Sequence, residues 1–170
     1  MHRWRDRRRA GLVAAIAALA TAIAGAGTAA DSSDPQWLVV RDASGSELAR
    51  AALPSTKSFA LRYRNSVYRS TAEERFAVDD GRLRLVELRA EELAVLEEYY
   101  SAVGAVRTSG DSTLGWQIAV ERPPIELPLR VRATELGRRT LVVGDRVIAL
   151  WALVAGRDES LVVLSVEESR

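Results

Sequence analysis

Arg138–Trp151, RRTLVVGDRVIALW, consists of two short apolar runs hinged on Gly144-Asp145. Branched and aromatic side chains in such runs suit a pleated, half-buried surface, and a glycine-led pair supplies the backbone of a two-residue hairpin turn. The stretch predicts strands over Arg138–Val143 and Arg146–Trp151, with Leu141 facing Ile148 and Val142 facing Val147. Outward from it the same pattern recurs. Leu161–Val166 reads as a strand apolar enough to lie centrally in a sheet. Phe59, Leu61 and Tyr63 alternate with Ala60, Arg62 and Arg64, and Phe76 and Val78 alternate with Arg75, Ala77 and Asp79. This period of two marks a strand with one buried face.

Asp80-Gly81 is a second hairpin signal, followed by Leu83 and Leu85 alternating with Arg82 and Arg84. Trp37–Val40 and Glu47–Leu53 flank the loop Asp42–Ser46, and Pro54 closes that pair. Trp116–Val120 is a further strand, after which Pro123, Pro124 and Pro128 mark an edge or a crossover, since proline cannot donate into a sheet interior. Glu91–Tyr100, EELAVLEEYY, stands apart: Leu93, Leu96 and Tyr100 recur at helical spacing and predict a short helix, with a strand over Val95–Tyr100 as the alternative. The expected fold is all-β, an antiparallel β-sandwich or partly closed barrel of about eight to ten short strands.

Met1–Arg9 carries Arg3, Arg5, Arg7, Arg8 and Arg9 against Asp6, and Gly11–Ala30 follows without a charge. A basic start, an apolar middle and a small-residue end make an export leader. Residues 1–30 are expected to be a signal peptide or, if uncleaved, an N-terminal membrane anchor, residues 31–36 a linker, and residues 37–168 a single β domain placed outside the cytoplasm. Without the leader's five basic and one acidic residues, the chain's 24 basic and 23 acidic residues become 19 and 22, a net charge of −3. That balance, with its signs interspersed, offers no basic patch for nucleic acid.

The chain has no cysteine, and its one histidine is His2 within the leader. Disulfides, histidine-assisted serine or cysteine hydrolysis, and zinc sites built from His and Cys are therefore excluded for the mature domain. No phosphate loop or dinucleotide fingerprint occurs, so neither a metal nor a cofactor is expected. Tyr99, Tyr100, Trp37, Trp116 and Trp151 are expected as core packing.

One segment has chemical character. If Tyr63 pairs with Phe76 and Leu61 with Val78, Asn65 falls opposite Glu74 and both face the apolar side. An inward carboxylate costs several kcal/mol unless it is neutralised or hydrogen-bonded. Glu74 thus needs a partner: the Asn65 amide, the Ser66 or Ser70 hydroxyl, Tyr68, or an arginine from a neighbouring strand. Asn65, Ser66, Tyr68 and Glu74 are the candidate binding residues. The leading reading is that Glu74 and Asn65 satisfy backbone groups where the strand pair opens into the Ser66–Glu73 connection; a ligand-binding role at the open end of the sandwich is the alternative. Glu73 and Asp79 are expected as solvated surface charge.

Phe59–Phe76, FALRYRNSVYRSTAEERF, resembles the signature of an uncharacterised bacterial family, domain of unknown function 1850, and Thr140–Leu150, TLVVGDRVIAL, resembles that family's closing hairpin. Ser66, Val67 and Glu74 match the pattern, while Asn65 stands where a histidine is usual and Thr71 where proline is common. The resemblance implies a small exported or membrane-tethered protein accessory to a tripartite-type solute transporter, with the transporter's membrane subunit or solute-binding protein as partner. Asparagine in place of histidine at position 65 argues against a catalytic or metal role there and leaves hydrogen bonding. The expected function is a non-enzymatic extracytoplasmic binding domain. The alternatives are a carboxylate-dependent envelope hydrolase using Glu74 and a second acid, and a purely structural envelope protein.

Overall fold

The computed structural model describes residues 35–109 and 113–168, and the expected leader lies outside them. Among the described residues the chain is all-β and antiparallel, with two sheets and no closed barrel. β1 (Gln36–Asp42) and β2 (Glu47–Ala52) form a hairpin whose turn is organised by the Asp42 carboxylate. That group accepts the Ser44 and Ser46 N–H groups, each at 3.0 Å, and the Ser44 hydroxyl at 2.6 Å. Short polar side chains that bond the backbone ahead of them stabilise such turns. β3 (Ser58–Arg64), β4 (Thr71–Asp79) and β5 (Arg82–Ala90) form a meander. Asp80 (φ 47°) and Gly81 (φ 73°) make the two-residue turn between β4 and β5. Both take positive φ, as a type I′ turn requires.

The expected helix is present as one π-helical turn, Val95–Tyr99. β6 (Val106–Arg107), β7 (Trp116–Ala119), β8 (Ile125–Glu126) and β9 (Leu129–Arg132) follow. β10 (Thr140–Val143) and β11 (Arg146–Ala149) pair as expected, Leu141 with Ile148 and Val142 with Val147. The second arm ends sooner than expected, because residues 150–153 turn into α1 (Leu150–Leu153), which carries Leu150 into the core. β12 (Leu161–Glu168) closes the fold in a central position, between β1 and β9.

The smaller sheet has the order β2-β1-β12-β9 and the larger β11-β10-β3-β4-β5-β7-β6, with β8 beside β5. Twelve strands exceed the eight to ten expected. The surplus comes from short pieces around prolines and loops, where no alternation can develop. Leu38, Val40, Val131, Val162 and Leu164 of the smaller sheet pack on Phe59, Leu61, Phe76, Val78 and Leu141 of the larger, and the Phe59 and Phe76 rings stack with centroids 5.3 Å apart. A second apolar cluster gathers Tyr63, Ala72, Leu88 and Ala90 of the larger sheet under Val95, Leu96 and Ala102.

Two expectations are corrected. The β3–β4 register is shifted by four residues: Phe59 faces Phe76, Leu61 faces Glu74 and Tyr63 faces Ala72. The loop between them is tighter than expected, since the Asn65 N–H donates to the Ser70 carbonyl at 2.8 Å and Thr71 and Ala72 join the strand. An even shift keeps every side chain on its face, so Glu74 still points inward, but not toward Asn65. Nor are Trp37 and Trp151 core residues, and Tyr99 is exposed, whereas Trp116 and Tyr100 pack, half-buried, against the second cluster. Trp37, Trp116 and Trp151 are half-buried, each beneath a guanidinium: Arg50 at 5.9 Å, Arg107 at 4.7 Å and Arg138 at 5.4 Å from the ring centre. Such rings keep one face available to a cation.

Candidate functional site

Glu74 lies on the inner face of β4, between Ala72 and Phe76, where the two apolar clusters meet. Its carboxylate accepts a hydrogen bond from the Tyr100 hydroxyl at 2.7 Å and lies 3.7 Å from the Arg139 guanidinium, one residue before β10. The Tyr63 and Tyr100 hydroxyls are 2.6 Å apart. Because Tyr100 gives its only proton to Glu74, Tyr63 donates to Tyr100, and the chain runs Tyr63 to Tyr100 to Glu74. Arg139 also stacks on Tyr63, 4.9 Å from the ring centre.

Tyr100 is aimed by its backbone as well. The π turn ends with its N–H on the Val95 carbonyl at 3.3 Å, and its own carbonyl accepts from Arg122 at 2.9 Å. Burial pushes the Tyr63 phenol up to about 12. Burial, with the negative charge of Glu74 added, drives Tyr100 further upward. Both phenols are thereby hydrogen-bond donors, not bases or nucleophiles.

The other candidate residues hold local structure. The Asn65 side chain is buried and its oxygen accepts the Val67 and Tyr68 N–H groups at 2.9 and 3.1 Å, which makes it the organiser of the 65–70 loop. Ser66 is exposed. The Tyr68 hydroxyl donates to Glu98 at 2.5 Å and ties that loop to the π turn, and the same hydrogen bond raises the Tyr68 phenol above its ordinary value. The structure therefore does not bring Asn65, Ser66, Tyr68 and Glu74 together. It brings Glu74 together with Tyr63, Tyr100 and Arg139. Tyr63 and Tyr100 were visible only as apolar-face aromatics, and nothing in the sequence near Arg139 announces it.

Glu73 is a correction as well. It is 4 % exposed, not solvated, although it projects from the outer face of the larger sheet. Cross-strand neighbours share a face, and Arg62 and Arg89 flank Glu73 on either side. Arg62 donates to one Glu73 oxygen at 3.0 and 2.8 Å, and Arg75 lies 4.0 Å from the other. Among the described residues no group of three acidic, histidine or cysteine side chains is placed to hold a metal ion, and no helix is long and apolar enough to cross a membrane.

Comparisons with protein-family models, with curated proteins and with solved structures gave no match. The resemblance to domain of unknown function 1850 thus rests on the two quoted stretches alone.

Proposed function

We propose that this chain is an exported, non-enzymatic β domain that binds a solute or a partner protein outside the cytoplasm, as an accessory to a solute transporter of the tripartite type. The observation that carries the binding reading is the state of the Glu74 carboxylate, which points inward from β4. Glu74 is hydrogen-bonded by a phenol that is itself hydrogen-bonded, and flanked by a guanidinium. An acid so engaged is a fixed polar anchor. Glycoside hydrolysis needs two carboxyl groups about 5–10 Å apart across a cleft. Glu73 and Glu74 are adjacent on one strand and so face opposite sides of it. The partners of Glu74 among the described residues are Tyr100 and Arg139 rather than a second acid.

The export half of the proposal is supported by Met1–Ala30, and the transporter half by the resemblance. The experiment is affinity capture of the tagged full-length chain from gently solubilised membranes of the cells that encode it. Recovery of a transporter membrane subunit or a solute-binding protein is the expected result. Recovery of neither removes the transporter reading.

A further inference from the structure

Small side chains on the outer face of a sheet leave a dent, and long ones around them wall it in. β3 places Ser58 and Ala60 on the outer face of the larger sheet, with Val142 of β10 beside Ala60. Arg62, Arg75 and Arg89 rise around them from three successive strands, and Pro54 and Leu114 complete an apolar wall. The hollow encloses about 360 Å³. That is within the range of small-molecule sites, and an apolar wall with a few convergent polar groups is their usual composition.

The charges are unbalanced and unequally engaged. Among the described residues three guanidinium groups meet two carboxylates, Glu73 and Glu87, one positive charge more than negative. Arg62 is hydrogen-bonded to Glu73, and Arg89 to Glu87. Arg75 is hydrogen-bonded to neither: it forms only long ion pairs, 4.0 Å from Glu73 and 3.8 Å from Glu87, beyond hydrogen-bond reach. Its side chain is 41 % exposed, and it makes no side-chain hydrogen bond among the described residues. A guanidinium fork fits a carboxylate or a phosphate bidentately.

We propose that this hollow binds a small organic anion, whose carboxylate or phosphate is taken by Arg75 and whose apolar body lies against Pro54 and Val142. Buried Glu73 is a positioning residue that holds Arg62 upright at the rim. The inference rests on the binding reading above only in taking the protein to bind a solute rather than transform it.

The test is calorimetric titration of the full-length protein with phenylacetate, phenyl phosphate and the neutral phenylacetamide. At least one anion binds and the amide does not. Arg75→Gln weakens that binding by about tenfold or more, the loss of a charge-assisted contact. Arg84→Gln leaves it unchanged, because Arg84 pairs with Asp79 outside the hollow. The urea midpoint of Arg75→Gln matches that of the parent, so a folding defect is not mistaken for lost binding. Binding of only one anion identifies the acidic group. Failure of both anions to bind, equal binding of the amide, or indifference to Arg75→Gln overturns the proposal. Anion binding with no transporter partner captured defeats only the transporter reading. A captured partner without anion binding defeats only this site.

Discussion

Tyr100 is fastened at its N–H, its carbonyl and its hydroxyl. Removing only the hydroxyl by Tyr100→Phe strands Glu74 and Tyr63 together, and a buried polar group left without its partner costs about 1–3 kcal/mol. The expected outcome is a loss of that size in urea unfolding at neutral pH, with Tyr63→Phe and the double variant less than additive, since members of one hydrogen-bond chain couple. The same residues set an alkaline limit. Unfolded tyrosine loses its proton near 10, whereas Tyr63 in the fold holds it to about 12 and Tyr100 is also raised. The folded state therefore binds more protons across that window, and stability falls as pH rises. The contribution is whole below about pH 10 and is lost between 10 and 12. Urea midpoints measured across that range should decline for the parent and decline less for Tyr63→Phe; equal slopes would refute the assignment. Period two was enough to turn Glu74 inward on paper. The burial of Glu73 was not legible, because its cover comes from Arg62 and Arg75 on an outward face that alternation marks as wet.

Turn chemistry was the most readable feature at the scale of single elements. Gly144 adopts φ 59° between strands whose pairing is the one the apolar runs dictate. Asp80-Gly81 is more demanding, since both residues take positive φ. A Cβ at Gly81 would meet nothing within 4 Å, so Gly81→Ala tests the backbone alone. The left-handed conformation costs a non-glycine residue about 1–2 kcal/mol, and the urea midpoint should fall accordingly with no change in slope. A stability equal to the parent's would mean the turn is not type I′. Within β5 the ladder slips between Arg75 and Phe76, so that Phe76 faces Leu85 while Arg75 faces Glu87 and Val86 is the extra residue. The sequence carries that signal: apolar Leu83 and Leu85 sit at odd positions, Leu88 and Ala90 at even ones. The bulge moves the second pair back to the inner face, and without it Glu87 and Arg89 would point into the second cluster. The β3–β4 register was beyond reach, because pairings four residues apart bury the same side chains and only the closure of the Asn65–Ser70 loop distinguishes them.

At the scale of the molecule, alternation was sufficient for an antiparallel sandwich or partly closed barrel, but not to choose between them or to show how the larger sheet is covered. β3, β4 and β5 run through both apolar clusters; the four-stranded sheet covers the first, and the π turn with residues 100–105 covers the second. The two covers differ in kind. One is a hydrogen-bonded ladder, β2-β1-β12-β9, and the other a single irregular segment whose backbone bonds include Tyr100 to Val95 and Ala102 to Leu96. Regions with few ladder bonds open locally at lower free energy than the core strands. Native-state hydrogen exchange should therefore find the Tyr100 and Ala102 amides opening well before those of Val40 and Leu164. Leu96 and Leu164 are both fully buried, so Leu96→Ala and Leu164→Ala should each lower global stability by about 2–5 kcal/mol. Because the sheet is continuous through both clusters, each variant should still unfold in one transition. Two separate transitions, or equal exchange across both covers, would show that the halves are coupled differently. The lesser stability of the second cover matters for Glu74, since the π turn is what delivers Tyr100. Whatever loosens that turn releases the carboxylate's only hydrogen-bond donor among the described side chains, and Arg139 at 3.7 Å then becomes its nearest remaining partner.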